Sequence, residues 1–195
     1  MKNPEFDSCF TVTGKIASIR KAGRSLHMLV QQNVAGKLPT TFKVVYPAKA
    51  GPGFSYRVGD TVLLQDMILY QKDGELRLKV PSIRLIRPCQ EQDLLNTLSF
   101  SGRVTDVTVN KAHRLIILQQ TVADRFETTL EVLIPSSVPV PVKKGDVGYI
   151  RSAFLYQKNG LFRAKIENES QYKCLYSPDK VNDLGTVEAK ERFAI

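Results

Sequence analysis

Two stretches of the chain set an aromatic ring among closely spaced cations. Tyr70 stands two residues before Lys72, with Arg77 and Lys79 following, and Tyr156, Lys158, Arg163 and Lys165 repeat that spacing. A tyrosine face can stack on an unpaired nucleobase, worth about 1–3 kcal/mol per base, while side-chain cations neutralise phosphates and release their counterions. Lys15, Arg20, Lys21 and Arg24 form a second basic cluster, and Lys43 adds a further charge. Phe54 and Tyr56 lie in a Gly-Pro-containing stretch that could hold rings on a loop. Each group also has a plainer reading. The two tyrosines are equally well half-buried strand residues and the cations a solvated face. Phe54 and Tyr56 read better as plugs at the end of a barrel than as stacking rings. The pairs Gln31-Gln32 and Gln119-Gln120 could hydrogen-bond bases, but one glutamine of each must face inward.

Catalytic chemistry finds little to work with. His27 and His113 are the only histidines, and the cysteines Cys9, Cys89 and Cys174 stand far apart with no evident base. No CxxC, HExxH, Walker loop or GxGxxG occurs. Asp60 and Asp146 each follow a glycine, where a turn role is expected. A non-enzyme without metal or cofactor is the expectation. An odd number of cysteines argues against a disulfide scaffold and for a reducing compartment. No apolar run approaches the ~20 residues of a membrane span, and the first ten residues do not resemble a secretory signal. These readings predict a soluble cytoplasmic protein without a membrane partner.

The elements that must position these residues come from a tandem repeat. Aligning Gly14 with Gly102 puts TGKIASI on SGRVTDV, LVQQNVA on ILQQTVA and TTFKVVYP on TTLEVLIP, all at an offset of 88. After a two-residue deletion, VGDTVLLQDMILYQKDGELRLKV (58–80) falls on KGDVGYIRSAFLYQKNGLFRAKI (144–166). This places one domain at 8–88 and a second at 98–175, joined by PCQEQDLLNT, with a polar tail at 176–195. Each unit is about the size of a small domain. The chain carries 28 Lys and Arg against 19 Asp and Glu, a net +9. Residues 1–88 hold 14 basic and 6 acidic side chains, against 11 and 9 in residues 89–175, so the excess sits in the first repeat.

Within each repeat the apolar period is two. Phe42, Val44 and Tyr46 share one face and Thr41, Lys43 and Val45 the other; their counterparts keep Leu130, Val132 and Ile134 and place Glu131 opposite. Asp73-Gly74 and Asn159-Gly160 favour type I′ turns, which makes long hairpins of the segments around them. Strands are predicted at about 10–20, 25–34 and 40–47, followed by an irregular connector and the hairpin. Gly14 and Gly102 fall mid-strand, where a coiled first strand must bend. The fold class predicted is all-β, two tandem five-stranded OB-fold barrels with a short C-terminal tail. A pair of SH3-like barrels is the competitor.

The strand order, the Gly-Asp before strand four and the long hairpin with aromatic and basic residues near its tip resemble the bacterial OB-fold single-stranded-DNA-binding proteins, including their PriB-like branch. The resemblance is one of architecture. The chain departs from it in having no Trp and in a tail ending ERFAI without an acidic tip. It implies a sequence-tolerant single-strand binder of DNA replication, recombination or repair, or of plasmid or phage metabolism, with DNA favoured over RNA. The near-neutral second repeat leaves open that it extends the site, forms a homodimer or contacts replication or conjugation proteins. An OB-fold adaptor subunit is the alternative from a different class.

Overall fold

The computed structural model describes residues 8–34, 39–47, 55–81, 86–89, 95–122, 126–158 and 161–178. The Asn159-Gly160 turn, Phe54 and residues 179–195 of the tail lie outside the described residues.

The period of two is what the backbone uses. In β3 (Thr40–Pro47) Phe42, Val44 and Tyr46 are buried while Lys43 is exposed. The other strands of the first repeat are β1 (Ser8–Ala22), β2 (Ser25–Gln32), β4 (Thr61–Lys72), β5 (Glu75–Lys79) and β6 (Ile86–Pro88). Those of the second are β7 (Asn96–Val109), β8 (His113–Val122), β9 (Phe126–Pro135), β10 (Val147–Lys158), β11 (Leu161–Lys165) and β12 (Tyr172–Tyr176). Asp73 and Gly74 both take positive φ (55° and 75°), as the tight turn between β4 and β5 requires.

The protein is all-β, with the OB strand order. β1, β2 and β3 form an antiparallel meander, β3 pairs with β5 in parallel, β5 with β4 antiparallel, and β4 returns to β1. The pairings β7–β8, β8–β9, β9–β11, β11–β10 and β10–β7 trace the same ring in the second repeat. Gly14 and Gly102 answer one need. A Cβ at Gly14 would lie 2.7 Å from the Gln31 carbonyl oxygen, and at Gly102 2.8 Å from that of Gln119. Each marks the close approach of the coiled first strand to the second.

The Gly-Asp pairs are turn clamps. Asp60 Oδ2 accepts from the Arg57 N–H (2.8 Å), and Asp146 Oδ2 from that of Lys143 (2.9 Å). The connectors are not helical where described. In the second repeat Val138 and Val140 plug the core, while the Arg114 guanidinium donates to the carbonyls of both. Both repeats also have a sixth strand that sequence reading missed. β6 pairs with β4 and β12 with β10, at equivalent registers (Val62 opposite Pro88, Gly148 opposite Cys174).

The repeats meet along their first strands. β1 and β7 pair antiparallel with Phe10 opposite Leu98, which are equivalent positions of the repeat. A strand pair centred on equivalent residues has a local two-fold axis between them, so the seam is isologous, as in a symmetric dimer. The cross-contacts obey that symmetry. The Gln71 N–H donates to Thr128 Oγ1 (3.1 Å), and the equivalent Gln157 N–H to Thr40 Oγ1 (3.4 Å). The buried apolar residues of both repeats form one cluster, and the Phe42 ring of one repeat stacks against Phe162 of the other at 5.7 Å.

Candidate functional site

The outer face of the first repeat gathers side chains from four strands into two rows. Directly opposed residues of a ladder share a face, so the pairings define the rows. One runs Arg20, His27, Val45, Lys79 across β1, β2, β3 and β5. The next runs Ser18, Leu29, Lys43, followed by Arg77, which is opposite Tyr70 on β4. Arg20, His27, Lys43 and Arg77 line one open groove of about 430 Å³. Lys21 and Arg24 are exposed at the β1–β2 turn that continues it. Lys15 is exposed but lines a separate groove with Gln31, Asn33 and Thr61.

Leu76, Leu78 and Val80 alternate with Arg77 and Lys79, which predicts a purely positive outer face for strand five, and the observed face is less uniform. Glu75, at the head of β5, accepts from Lys43 Nζ at 2.6 Å and lies 3.4 Å from Arg77 Nη2. Asp73 is a further 3.7 Å contact of Arg77. The hydrogen bond and charge of Lys43, with Arg77 adding, hold the Glu75 carboxyl below its ordinary range. These pairs are exposed, so they compete only weakly for their cations. Among the described residues Arg20, Lys21, Arg24, Lys72 and Lys79 are in no ion pair.

The aromatic assignments divide between the repeats. Tyr70 is buried (9% exposed), and little of its ring is open to a ligand. Tyr56 behaves as a plug: its hydroxyl donates to the Ile86 carbonyl (2.7 Å), and burial raises its pKa. Tyr156, by contrast, is half-buried, with its pKa raised mainly by burial, and it stacks 6.4 Å from Phe154. With Lys158 and Lys165 these two rings line a largely apolar groove of about 280 Å³. Phe154 escaped the sequence reading. Its signal is a position where the repeats differ, since the first has Ile68 there.

The equivalent rows of the second repeat carry little free charge. Thr108 replaces Arg20, and Asp106 and Glu131 stand where the first repeat has Ser18 and Lys43. Glu131 Oε2 is 2.5 Å from Arg163 Nε, and Lys165 Nζ is 3.4 Å from Glu167. Strand five is thus ion-paired here as well. The inward glutamine of the first repeat is structural. Gln32 donates to the carbonyls of Thr13 (3.0 Å) and Leu95 (2.7 Å) and accepts from Asn96. Gln31 faces out. His113 opens β8 just after the β7–β8 turn, its Nε2 2.9 Å from Asn110 Nδ2. Cys9 Sγ donates to Asp66 Oδ1 (3.4 Å). Among the described residues no group of three or more His, Cys, Asp or Glu could hold a metal, and no helix is long and apolar enough to cross a membrane.

No family model and no curated protein sequence matches the chain. Its fold is similar to that of a deletion mutant of the single-stranded DNA binding protein from Thermus aquaticus, with a TM-score of 0.59 and 14% identity. That likeness covers 88% of this chain and 96% of the other, so it extends over both repeats. Fission yeast Pot1 with single-stranded DNA is also matched, at a TM-score of 0.32 and 9% identity over 100% of this chain and 90% of that one. So is the p204 HINb domain, at 0.32 and 8% over 80% and 91%. Only the first is close enough to bear on architecture, and at 14% identity it bears on the fold alone.

Proposed function

We propose that this protein binds single-stranded nucleic acid, DNA in preference to RNA, with little dependence on sequence, and that it is not an enzyme. The observation that carries the reading is the open groove where Arg20, Lys43 and Arg77 converge from three strands, continued by Lys21 and Arg24. Such a face neutralises consecutive phosphates, and its affinity arises from counterion release rather than from reading base edges. A role in DNA replication, recombination or repair, or in plasmid or phage DNA metabolism, follows from that activity. Titration of labelled oligo-dT at several salt concentrations tests it. Affinity should fall steeply with salt, and binding that is absent or insensitive to salt overturns the proposal. Competition between oligo-dT and oligo-U separates DNA from RNA.

The ion-paired face of the second repeat favours a second reading, an adaptor that docks replication or conjugation proteins or a second copy of the chain. Changing Lys72, Arg77 and Lys79 together to Glu discriminates. Unaltered nucleic-acid affinity would support the adaptor, and light scattering reports the oligomeric state.

A further inference from the structure

We infer that a single bound strand crosses from the first repeat to the second and anchors one base in a pocket that both repeats build. This rests on the proposed single-strand binding. Three grooves adjoin through shared walls. Lys43 and Glu75 line both the basic groove of the first repeat and a groove of about 260 Å³ over the seam. Gln157 lines both that seam groove and the aromatic groove of about 280 Å³. A chain lying along the basic face therefore has a continuous course across the two-fold seam to Phe154 and Tyr156.

The end of that course suits a nucleobase. Its two rings are nearly parallel (27°) and its lining is mostly apolar, with Lys158 at hand for the adjoining phosphate. Val34 and Thr40, from the first repeat, also line it. The Gln157 N–H bond to Thr40 Oγ1 pins the second hairpin against that wall. The twin seam lacks this chemistry. Ile68 occupies the position of Phe154 and the Tyr70 ring is buried, although Gln71 and Thr128 preserve the backbone contact. The two-fold of the backbone is thus broken in the side chains. One anchor per chain, at the second-repeat end, gives the bound strand a direction.

The test replaces Phe154 with the residue that the twin position already tolerates, Phe154→Ile, in the full-length protein. Binding is measured with an oligo-dT of about 8 nucleotides and one of about 30, a span covering one and several OB-sized sites. Affinity for the longer strand should fall about tenfold, with the salt slope unchanged because no phosphate contact is lost. The short strand, held by the first repeat, should change less than twofold, and Phe154→Tyr should restore the loss. Thermal melting confirms that the variant is folded. Equal affinity of Phe154→Ile and the parent protein for the long strand overturns the crossing path while leaving single-strand binding intact. An equal loss on both strands also overturns it. A parent protein that binds neither strand removes the proposed function and this inference together.

Discussion

The two repeats share a backbone and divide the chemistry. The first keeps Arg20, Lys43 and Arg77 around an open groove and buries its hairpin tyrosine. The second substitutes Thr108 and Glu131 on that face, ties Arg163 to the glutamate, and instead holds Phe154 and Tyr156 against a groove. What is common to both is what the fold needs: the Gly-Asp clamp, the close-packed glycine on the first strand and the alternating core. What differs lies on the outer face, where packing imposes little. An internal duplication separates these two kinds of constraint within one chain.

The strongest way to break this comparison is to reverse the first-repeat charge. Arg20→Glu, Lys21→Glu and Arg24→Glu together should weaken oligo-dT binding about 100-fold at low salt and reduce the salt slope by about 2, at roughly 0.7 per lost phosphate contact. The control falls in the second repeat, at the exposed Lys111 and Lys144. Lys111→Glu with Lys144→Glu should cost less than tenfold. Equal effects measured by fluorescence anisotropy would mean that charge is not partitioned between the repeats.

A smaller effect separates the two ends of the seam. Asn96 donates to Gln32 Oε1 and the Leu155 carbonyl and accepts from the Leu155 N–H, all at 2.7–2.8 Å. Among the described residues, the hydroxyl of its twin, Ser8, exchanges hydrogen bonds with the Leu69 backbone alone, at 3.0 and 3.3 Å. Asn96→Ala strands several half-buried polar groups and should cost about 2–3 kcal/mol in urea unfolding, whereas Ser8→Ala should cost about 1. Equal costs would show that the hydrogen bonds do not set the strength of the seam.

The strands, the β4–β5 hairpin and the inward faces were legible because alternation and turn chemistry are local, and because each repeat checks the other. The β1–β7 pairing was not. Which free edge meets which depends on the finished rings, and the polar residues that seal the seam, Ser8 and Asn96, differ in type, so the repeat does not flag them. The cations were legible as a group but their partners were not. Glu75 lies just outside the alternating stretch from Leu76 to Val80, and a tally of that stretch sees only positive charge. Phe154 was missed for the opposite reason. A search for what two copies share passes over the position where one of them has gained a ring.

The finest distinction between the repeats is a single carboxylate on each. Glu75 occupies Lys43 and Arg77, the cations that a phosphate would need, and Glu131 occupies Arg163. Glu75→Gln removes a competitor from the basic groove and should raise oligo-dT affinity two- to fivefold at low salt, an effect that fades as salt screens the released charges. Acidification should not mimic it at moderate pH. Lys43 holds the Glu75 pKa below the ordinary 4.5, so between pH 7 and about pH 5 the carboxylate stays ionised and affinity should stay flat on its account. Glu131→Lys restores in the second repeat the charge that the first has at the equivalent position. It should also raise affinity, by less than Glu75→Gln, because Asp106 and Thr108 remain on that face where the first repeat has Ser18 and Arg20. A larger gain from Glu131→Lys would place the path of the strand on the second repeat and invert the comparison.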